Sequence, residues 1–159
     1  MEIKNVGVIG AGVMGSGIAQ VTAAAGYNVV MTDIKEEFLA RALANIGSSL
    51  DRMIKKGTLP EAEKQAILGR IQTAIDIKAV KDCHLVIESA PEVLELKADI
   101  FKQLEAICSP ETILASNTSA LPISAIASAI KRKDKVIGIH FMNPVPVMKG
   151  VEVIVSTHT

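Results

Sequence analysis

The stretch VGVIGAGVMGSG, from Val6 to Gly17, decides the fold of this 159-residue chain. The apolar run Val6–Ile9 ends in glycines and is typical of a buried strand. A helical stretch follows from about Gly15 to Ala25, and Gly26 is the residue type that most easily ends a helix. A second apolar run, Asn28–Thr32, predicts another strand. Strand, glycine turn, helix and strand within about 30 residues indicate a βαβ unit.

The glycine turn has the GxGxxG spacing of a phosphate-binding loop, formed by Gly10, Gly12 and Gly15. Gly10 permits the tight turn, Gly12 lets the backbone approach a pyrophosphate, and Gly15 lets helix and strand pack closely. The helix N-terminus offers free N–H groups and a positive dipole end to the phosphates. We also expect Met14, inside the loop, to contact the cofactor. The loop therefore predicts a dinucleotide site.

Asp33 closes the second strand and is the acidic partner that such loops require. Its carboxylate would accept hydrogen bonds from the adenosine ribose hydroxyls and would repel a 2′-phosphate, which favours NAD over NADP. Lys35 nearby softens this preference without reversing it. The alternative is that the glycines only make a tight turn and that Asp33 caps a helix.

The rest of the chain continues the alternation of strands and helices. Residues from about 35 to 68 predict a helical hairpin, longer than a crossover needs, with Thr58 as a candidate N-cap of its second helix. The remaining segments are strands at Ile71–Ile75, His84–Ser89, Ile113–Ser116, Val136–Phe141 and Val151–Val155, and helices at about Val93–Ile107 and Ile123–Ile130. The pattern predicts an α/β, doubly wound, mostly parallel sheet over residues 1–159, with an inserted helical hairpin and a C-terminal antiparallel hairpin.

The composition predicts one globular domain and narrows its partners. Hydrophobic residues make up 49% of the chain, and Lys plus Arg and Asp plus Glu number 17 each, so the basic excess of proteins that bind nucleic acid or anionic membranes is missing. No apolar run approaches the roughly 20 residues that cross a bilayer, and the first residues show no secretory or transit character. Cys83 and Cys108 fit no metal spacing, so we expect buried thiols, no metal and a cytoplasmic location.

An ionisable side chain, His140, interrupts the apolar strand Val136–Phe141. A hairpin centred near Pro146 would place Glu152 directly opposite His140 on the same face of the sheet. A carboxylate on one imidazole nitrogen fixes the tautomer and raises the basicity of the other nitrogen, as a general base requires. The alternative is a cross-strand pair with no chemical role.

Ser119 lies in a polar run just past the strand Ile113–Ser116. Ligands of doubly wound sheets bind beyond the carboxyl ends of the strands, so Ser119 is a candidate to orient a substrate oxygen. The alternative is that Ser119 caps the helix near Ile123.

Three segments together, GAGVMGSGIAQ, ASNTSALPI and HFMNPVPVMKGVEVI, resemble the 3-hydroxyacyl-CoA dehydrogenase family, including its 3-hydroxybutyryl-CoA dehydrogenases. The resemblance implies a Rossmann domain and the NAD-dependent interconversion of 3-hydroxyacyl-CoA and 3-ketoacyl-CoA. His140 would take the hydroxyl proton, Glu152 would support His140, and Ser119 would bind the reacting oxygen. Further positions match family contacts to the cofactor, at Glu92, Lys97 and Asn143, and to the nucleotide end of coenzyme A, at Ser49 and Lys56.

Family members normally continue into a helical domain that supplies the other wall of the acyl pocket and the dimer contacts. We therefore expect this chain to be the cofactor domain of a homodimeric parent, and to expose an apolar patch near its C-terminus. Two other functions stay open: an NAD(H)-binding module without acyl-CoA turnover, and a different two-domain hydroxyacid dehydrogenase.

Overall fold

Seven strands form one sheet in the computed structural model, which describes all 159 residues. The strand order is β3-β2-β1-β4-β5-β6-β7, and every neighbouring pair is parallel except β6 and β7. The strands are β1 (Asn5–Ile9), β2 (Asn28–Thr32), β3 (Ile71–Ala74), β4 (Leu85–Glu88), β5 (Ile113–Ser116), β6 (Val136–Phe141) and β7 (Val151–Val155). The doubly wound, mostly parallel sheet predicted from the sequence is confirmed.

Five α-helices cover the two faces of this sheet. They are α1 (Val13–Ala24), α2 (Glu36–Lys55), α3 (Glu63–Gly69), α4 (Leu94–Ile107) and α5 (Ile123–Ala127). One apolar cluster joins α1, α2 and α3 to the sheet, and a second joins α4 and α5 to the opposite face. No helix in the structure is both long and apolar enough to span a bilayer.

The C-terminal hairpin has the predicted register. His140 of β6 lies directly opposite Glu152 of β7, and the flanking pairs continue this alignment. Alternation along β7 leaves valines on the other face, and the predicted exposed apolar patch is confirmed. The exposed residues of this apolar stripe are Val147, Met148, Val151, Val153 and Val155.

The helical hairpin differs from the sequence prediction at its second helix. Thr58 does not cap α3, which begins only at Glu63. The Thr58 hydroxyl instead donates to the carbonyl oxygen of Met53 near the end of α2. The backbone N–H of Thr58 donates to the same carbonyl oxygen, so Thr58 stabilises the end of α2 and not the start of α3.

Two glycines of α1 let other parts of the chain approach this helix closely. A Cβ on Gly15 would lie 1.8 Å from the carbonyl oxygen of Gly10, so only glycine fits against the end of β1. A Cβ on Gly17 would lie 2.8 Å from Cβ of Val145, a buried residue in the loop between β6 and β7. Helix α1 therefore positions both the glycine loop and the loop that follows His140.

We predict opposite effects on stability for alanine at two helical glycines. Gly15→Ala should lower the free energy of unfolding by at least about 2 kcal/mol, because the methyl group overlaps backbone. Gly47→Ala, in α2, is the matched control, since a Cβ there meets no atom within 4 Å. This change should raise stability by about 0.5–1 kcal/mol, as alanine favours helix. Urea unfolding measures both, and equal effects would contradict the steric account.

Candidate active site

A cleft of about 1400 Å³ runs across the sheet at the carboxyl ends of its parallel strands. Nine residues predicted for the site from the sequence line this cleft: Gly10, Gly12, Met14, Asp33, Glu92, Lys97, Ser119, His140 and Asn143. The parallel sheet brings them together because loops that follow parallel strands meet at one edge.

The glycine loop has the shape that a pyrophosphate requires. Gly10 has a φ of 101°, in the left-handed region, and a Cβ there would lie 2.6 Å from the carbonyl oxygen of Ser89. A Cβ on Gly12 would meet no protein atom within 4 Å, so the space in front of this residue opens into the cleft. Helix α1 begins at Val13 and directs its free N–H groups to the same place. The residues present therefore fit a dinucleotide.

Asp33 follows β2, and its carboxylate is hydrogen-bonded directly to the glycine loop. Its Oδ2 accepts from the backbone N–H of Ala11 at 2.7 Å, and its Oδ1 accepts from the N–H of Ile34 at 2.6 Å. Each carboxylate oxygen keeps a second lone pair for another donor. Asp33 thus both holds the glycine loop and has the capacity to accept from ribose hydroxyls, and it caps no α-helix.

His140 and Glu152 form a hydrogen-bonded pair at the other end of the cleft. Nδ1 of His140 lies 3.0 Å from Oε2 of Glu152. A carboxylate only accepts, so this contact places a proton on Nδ1, and in the neutral imidazole Nε2 keeps a free lone pair. The side chain of His140 is 23% exposed and lines the cleft, while Glu152 stands behind it with its own side chain 62% exposed.

Ser119 is exposed in the cleft and does not cap the next helix. No side chain caps α5, whose N-cap residue is Pro122. In the turn before α5, Thr118 Oγ1 accepts from the N–H groups of Ala120 and Leu121. The same hydroxyl donates to Glu92 at 2.6 Å. The Ser119 hydroxyl is left free, at the mouth of the turn that Thr118 stabilises.

A polar residue not singled out from the sequence, Asn117, aligns the end of β6. Its side-chain Oδ1 accepts from the backbone N–H of Phe141 at 2.8 Å, and its backbone N–H donates to the carbonyl oxygen of Glu88. These two bonds tie the ends of β4, β5 and β6 together. They fix the backbone next to His140, and Asn143 follows in the loop that Val145 anchors on α1.

Glu88 and Lys97 form a fully buried ion pair beneath the cleft. Their side chains are 0% and 1% exposed, and Lys97 Nζ lies 2.6 Å from Glu88 Oε1. The ammonium also donates to Glu92 and to the carbonyl oxygen of Ala90. The Glu88 carboxylate accepts in addition from Ser116 Oγ and from the N–H of Ala90, each at 2.6 Å. Lys97 borders the cleft with a side chain that is 1% exposed, and all three of its protons already have protein acceptors, so its contact with the cofactor stays a prediction.

Glu92 connects this buried pair to the cleft. Burial would raise the pKa of its carboxyl, but hydrogen bonds from Thr118 and Lys97 and the positive charge of Lys97 outweigh that effect and lower the pKa. Glu92 is therefore ionised near neutral pH. Glu88 was not identified from the sequence as part of the site. The one signal available was a carboxylate at the end of an apolar strand.

Ser49 and Lys56 lie outside the cleft lining. Ser49, on α2, accepts a hydrogen bond from Gln20 of α1 at 3.0 Å, and Lys56 is exposed just after α2. The two residues are two helical turns apart on the hairpin. Their roles remain predictions from the resemblance alone.

The cysteines are buried free thiols, as predicted. Burial, with smaller effects from Cys108 and Asp82, raises the pKa of Cys83 to about 12, so its thiol stays protonated. No group of three or more His, Cys, Asp or Glu residues in the structure is arranged to hold a metal ion.

Comparison with known proteins agrees with the geometry of the cleft. Residues 5–159 match the family model described as "3-hydroxyacyl-CoA dehydrogenase, NAD binding domain". A probable 3-hydroxybutyryl-CoA dehydrogenase of Deinococcus radiodurans is 52% identical over 148 residues, which are 93% of this chain and 53% of that protein. The 3-hydroxybutyryl-CoA dehydrogenase of Bradyrhizobium diazoefficiens is 47% identical over 96% of this chain and 52% of its own length.

A solved structure gives the same result for the fold. The crystal structure of 3-hydroxybutyryl-CoA dehydrogenase from Escherichia coli superposes with a TM-score of 0.97 at 43% identity, over 100% of this chain and 34% of that one. The chain spans about half the length of the curated relatives named above. The match over nearly all its residues nevertheless identifies its family. The chain belongs to the 3-hydroxyacyl-CoA dehydrogenase family, of which it is an NAD-binding domain.

Proposed function

We propose that this chain is the cofactor-binding and proton-transferring part of an NAD-dependent 3-hydroxyacyl-CoA dehydrogenase that acts on 3-hydroxybutyryl-CoA. The observation that carries the proposal is the His140–Glu152 pair, whose 3.0 Å contact leaves Nε2 of His140 free in the same cleft as the glycine loop. The names of the relatives support this substrate class.

The order of residues along the cleft supports an orientation for the cofactor. Asp33 at the end of β2 would bind the adenosine ribose, and the loop from Gly10 to Gly15 would hold the pyrophosphate. The nicotinamide would then lie on the other side of β1, near the ends of β4, β5 and β6. Glu92, Lys97 and Asn143 lie on that side, as the family resemblance implies for cofactor contacts.

Bound NAD would accept hydride from carbon 3 of the substrate or return it. In the oxidation, Nε2 of His140 would take the proton of the 3-hydroxyl, and in the reduction it would give this proton back. Glu152 holds the imidazole by Nδ1 and stabilises the cation that forms. The free hydroxyl of Ser119 would donate to the substrate oxygen and orient it.

Three further proposals concern the whole protein. The nucleotide end of coenzyme A would bind at Ser49 and Lys56 on the helical hairpin. The apolar stripe around β7 would contact a helical second domain, which would also form a homodimer. The buried free thiols Cys83 and Cys108 are consistent with a reducing, cytoplasmic location.

We predict that His140→Ala lowers kcat for reduction of acetoacetyl-CoA by about 100- to 10,000-fold. The neighbouring polar side chains, the Ser119 hydroxyl and the Asn143 amide, do not exchange protons near neutral pH and cannot replace the imidazole. Glu152→Gln should lower kcat by a smaller factor, since an amide cannot stabilise the imidazolium. NADH oxidation measured at 340 nm checks both variants.

His158→Ala is the matched control, because His158 is exposed and lies outside the cleft. Near-normal turnover by His140→Ala would disprove the catalytic assignment. Small free 3-keto acids, assayed beside acetoacetyl-CoA, distinguish this function from that of a different hydroxyacid dehydrogenase. Tight NADH binding with no acyl-CoA turnover by the whole protein would indicate a binding module.

We predict that Asp33→Asn weakens NADH binding by about tenfold, because an amide accepts hydrogen bonds at one atom only. The variant should also prefer NADH over NADPH less strongly, because it lacks the charge that repels a 2′-phosphate. Asp51→Asn is the control, since Asp51 pairs with Lys64 on the hairpin. Fluorescence titration with both reduced cofactors measures the change. An unaltered NADH to NADPH ratio would exclude Asp33 as the selecting residue.

The proposed coenzyme A contact predicts a difference between two adjacent lysines. Lys56→Ala should raise KM for acetoacetyl-CoA about tenfold, because one cation near a 3′-phosphate is lost, while kcat stays near normal. Lys55→Ala, an equally exposed neighbour, should leave KM unchanged. With a pantetheine thioester that lacks the nucleotide, both variants should match the parent protein, and a defect there would argue against this site.

A further inference from the structure

Three charged side chains, Glu88, Lys97 and Glu92, form one cluster at the nicotinamide side of the cleft. Lys97 Nζ lies 2.6 Å from Glu88 and 3.2 Å from Glu92. Glu88 and Lys97 are buried, whereas the side chain of Glu92 is 45% exposed toward the cleft. We refer to these three residues as the Glu88 cluster.

The hydrogen bonds fix the protonation states of the Glu88 cluster. Glu88 only accepts, from the Lys97 ammonium, the Ala90 N–H and the Ser116 hydroxyl, which is the pattern of a carboxylate. Lys97 donates to three oxygen atoms, which is the pattern of an ammonium. Glu92 accepts from Lys97 and from Thr118. Two carboxylates against one ammonium leave the cluster with one net negative charge.

The other charged residues of the cleft do not cancel this charge locally. Asp33, Arg41 and Asp76 line the half of the cleft at β2 and β3, where the adenosine would bind. On the opposite half, His140 is the one further ionisable side chain in the lining, and Glu152 already pairs with it. The nicotinamide half of the cleft is therefore negative.

The two redox states of the cofactor differ by one charge at the nicotinamide ring, which is cationic when oxidised and neutral when reduced. On the basis of the cofactor site proposed above, we propose that the Glu88 cluster stabilises the bound oxidised nicotinamide relative to the reduced one. The charge acts on the ring through space, and Glu88 contributes without touching the cofactor. A unit charge about 12 Å away changes an ion's binding about tenfold when the effective dielectric constant is near 20.

Glu88 is a positioning residue in this arrangement as well as a source of charge. It holds Lys97 away from the cleft surface, because the ammonium turns inward to Glu88 and the Ala90 carbonyl. Without Glu88, the positive charge of Lys97 would act on the ring with one carboxylate less to balance it. Removing Glu88 should therefore weaken the binding of the oxidised cofactor more than the binding of the reduced one.

The experiment measures dissociation constants for NAD⁺ and NADH, by calorimetry and fluorescence, in the parent protein and its variants. Glu88→Gln and Glu92→Gln each remove one negative charge, and each should raise the ratio Kd(NAD⁺)/Kd(NADH) about tenfold. Glu95→Gln removes the same charge from an exposed residue in the first turn of α4, outside the cleft, where solvent screens it, and should leave the ratio within twofold. Ser116→Ala removes a hydrogen bond to Glu88 but keeps the charge, and should also leave the ratio within twofold.

The variant Glu88→Gln leaves Lys97 with a neutral partner in the interior, so its folding is checked by circular dichroism. Where it does not fold, Glu92→Gln decides, because this change keeps the buried Glu88–Lys97 pair. A ratio within twofold of the parent in Glu92→Gln or in folded Glu88→Gln overturns the inference, as does an equal shift in Glu95→Gln. A parent protein that binds neither cofactor would instead refute the proposed cofactor site itself.

Discussion

The contact between Gly15 and the carbonyl oxygen of Gly10 is the constraint on which the rest of the structure depends. A single methyl group at Gly15 would lie 1.8 Å from that oxygen, so helix α1 can begin directly over the end of β1 only with glycine there. This approach places the unpaired N–H groups of the helix in the cleft. Two residues later, Gly17 admits Val145, which holds the loop after His140. The same helix thus fixes the phosphate end and the proton-transfer end of the cleft.

The reversed direction of β7 has a chemical consequence and a cost. An antiparallel neighbour places residues directly opposite each other, so Glu152 stands beside His140 and reaches Nδ1 at 3.0 Å. A further parallel strand would need a long crossover before it returned to the sheet. The cost is an edge strand with exposed valines, which other proteins avoid unless another surface covers it. The antiparallel direction of β7 therefore accounts both for the position of Glu152 beside His140 and for the exposed apolar stripe.

The sequence was sufficient wherever the interaction was local or had a fixed period. Strand, turn and helix follow each other within the βαβ unit, and a hairpin around a short turn determines that His140 faces Glu152. Thr58 was assigned to the wrong helix because a hydroxyl can satisfy the end of one helix or the start of the next, and sequence does not distinguish them. Ser119 had a similar ambiguity, but no side chain caps α5, and the neighbouring Thr118 instead accepts from two N–H groups in the turn before that helix.

Glu88 could not be found from the sequence for a different reason. Its partners Ser116 and Lys97 lie on β5 and α4, and only the packing of these elements brings their side chains to one carboxylate. A period of two or of 3.6 residues predicts which face is buried, but it does not predict which polar atoms on different elements will meet. The buried network is therefore a property of the tertiary structure, although each of its residues is visible in the printed sequence.

The hydroxyl group of Thr118 links Glu92 to the turn that carries Ser119. It has a single proton, which it donates to Glu92, and its oxygen accepts the N–H groups that shape the turn carrying Ser119. If Glu92 rotated away, Thr118 would lose its acceptor, and Lys97 would lose one of three. Glu92 is thus held in position from both sides, so the entry of a cofactor requires little reorganisation there. Polar groups that are fixed before the ligand binds are the ones that stabilise developing charge most effectively.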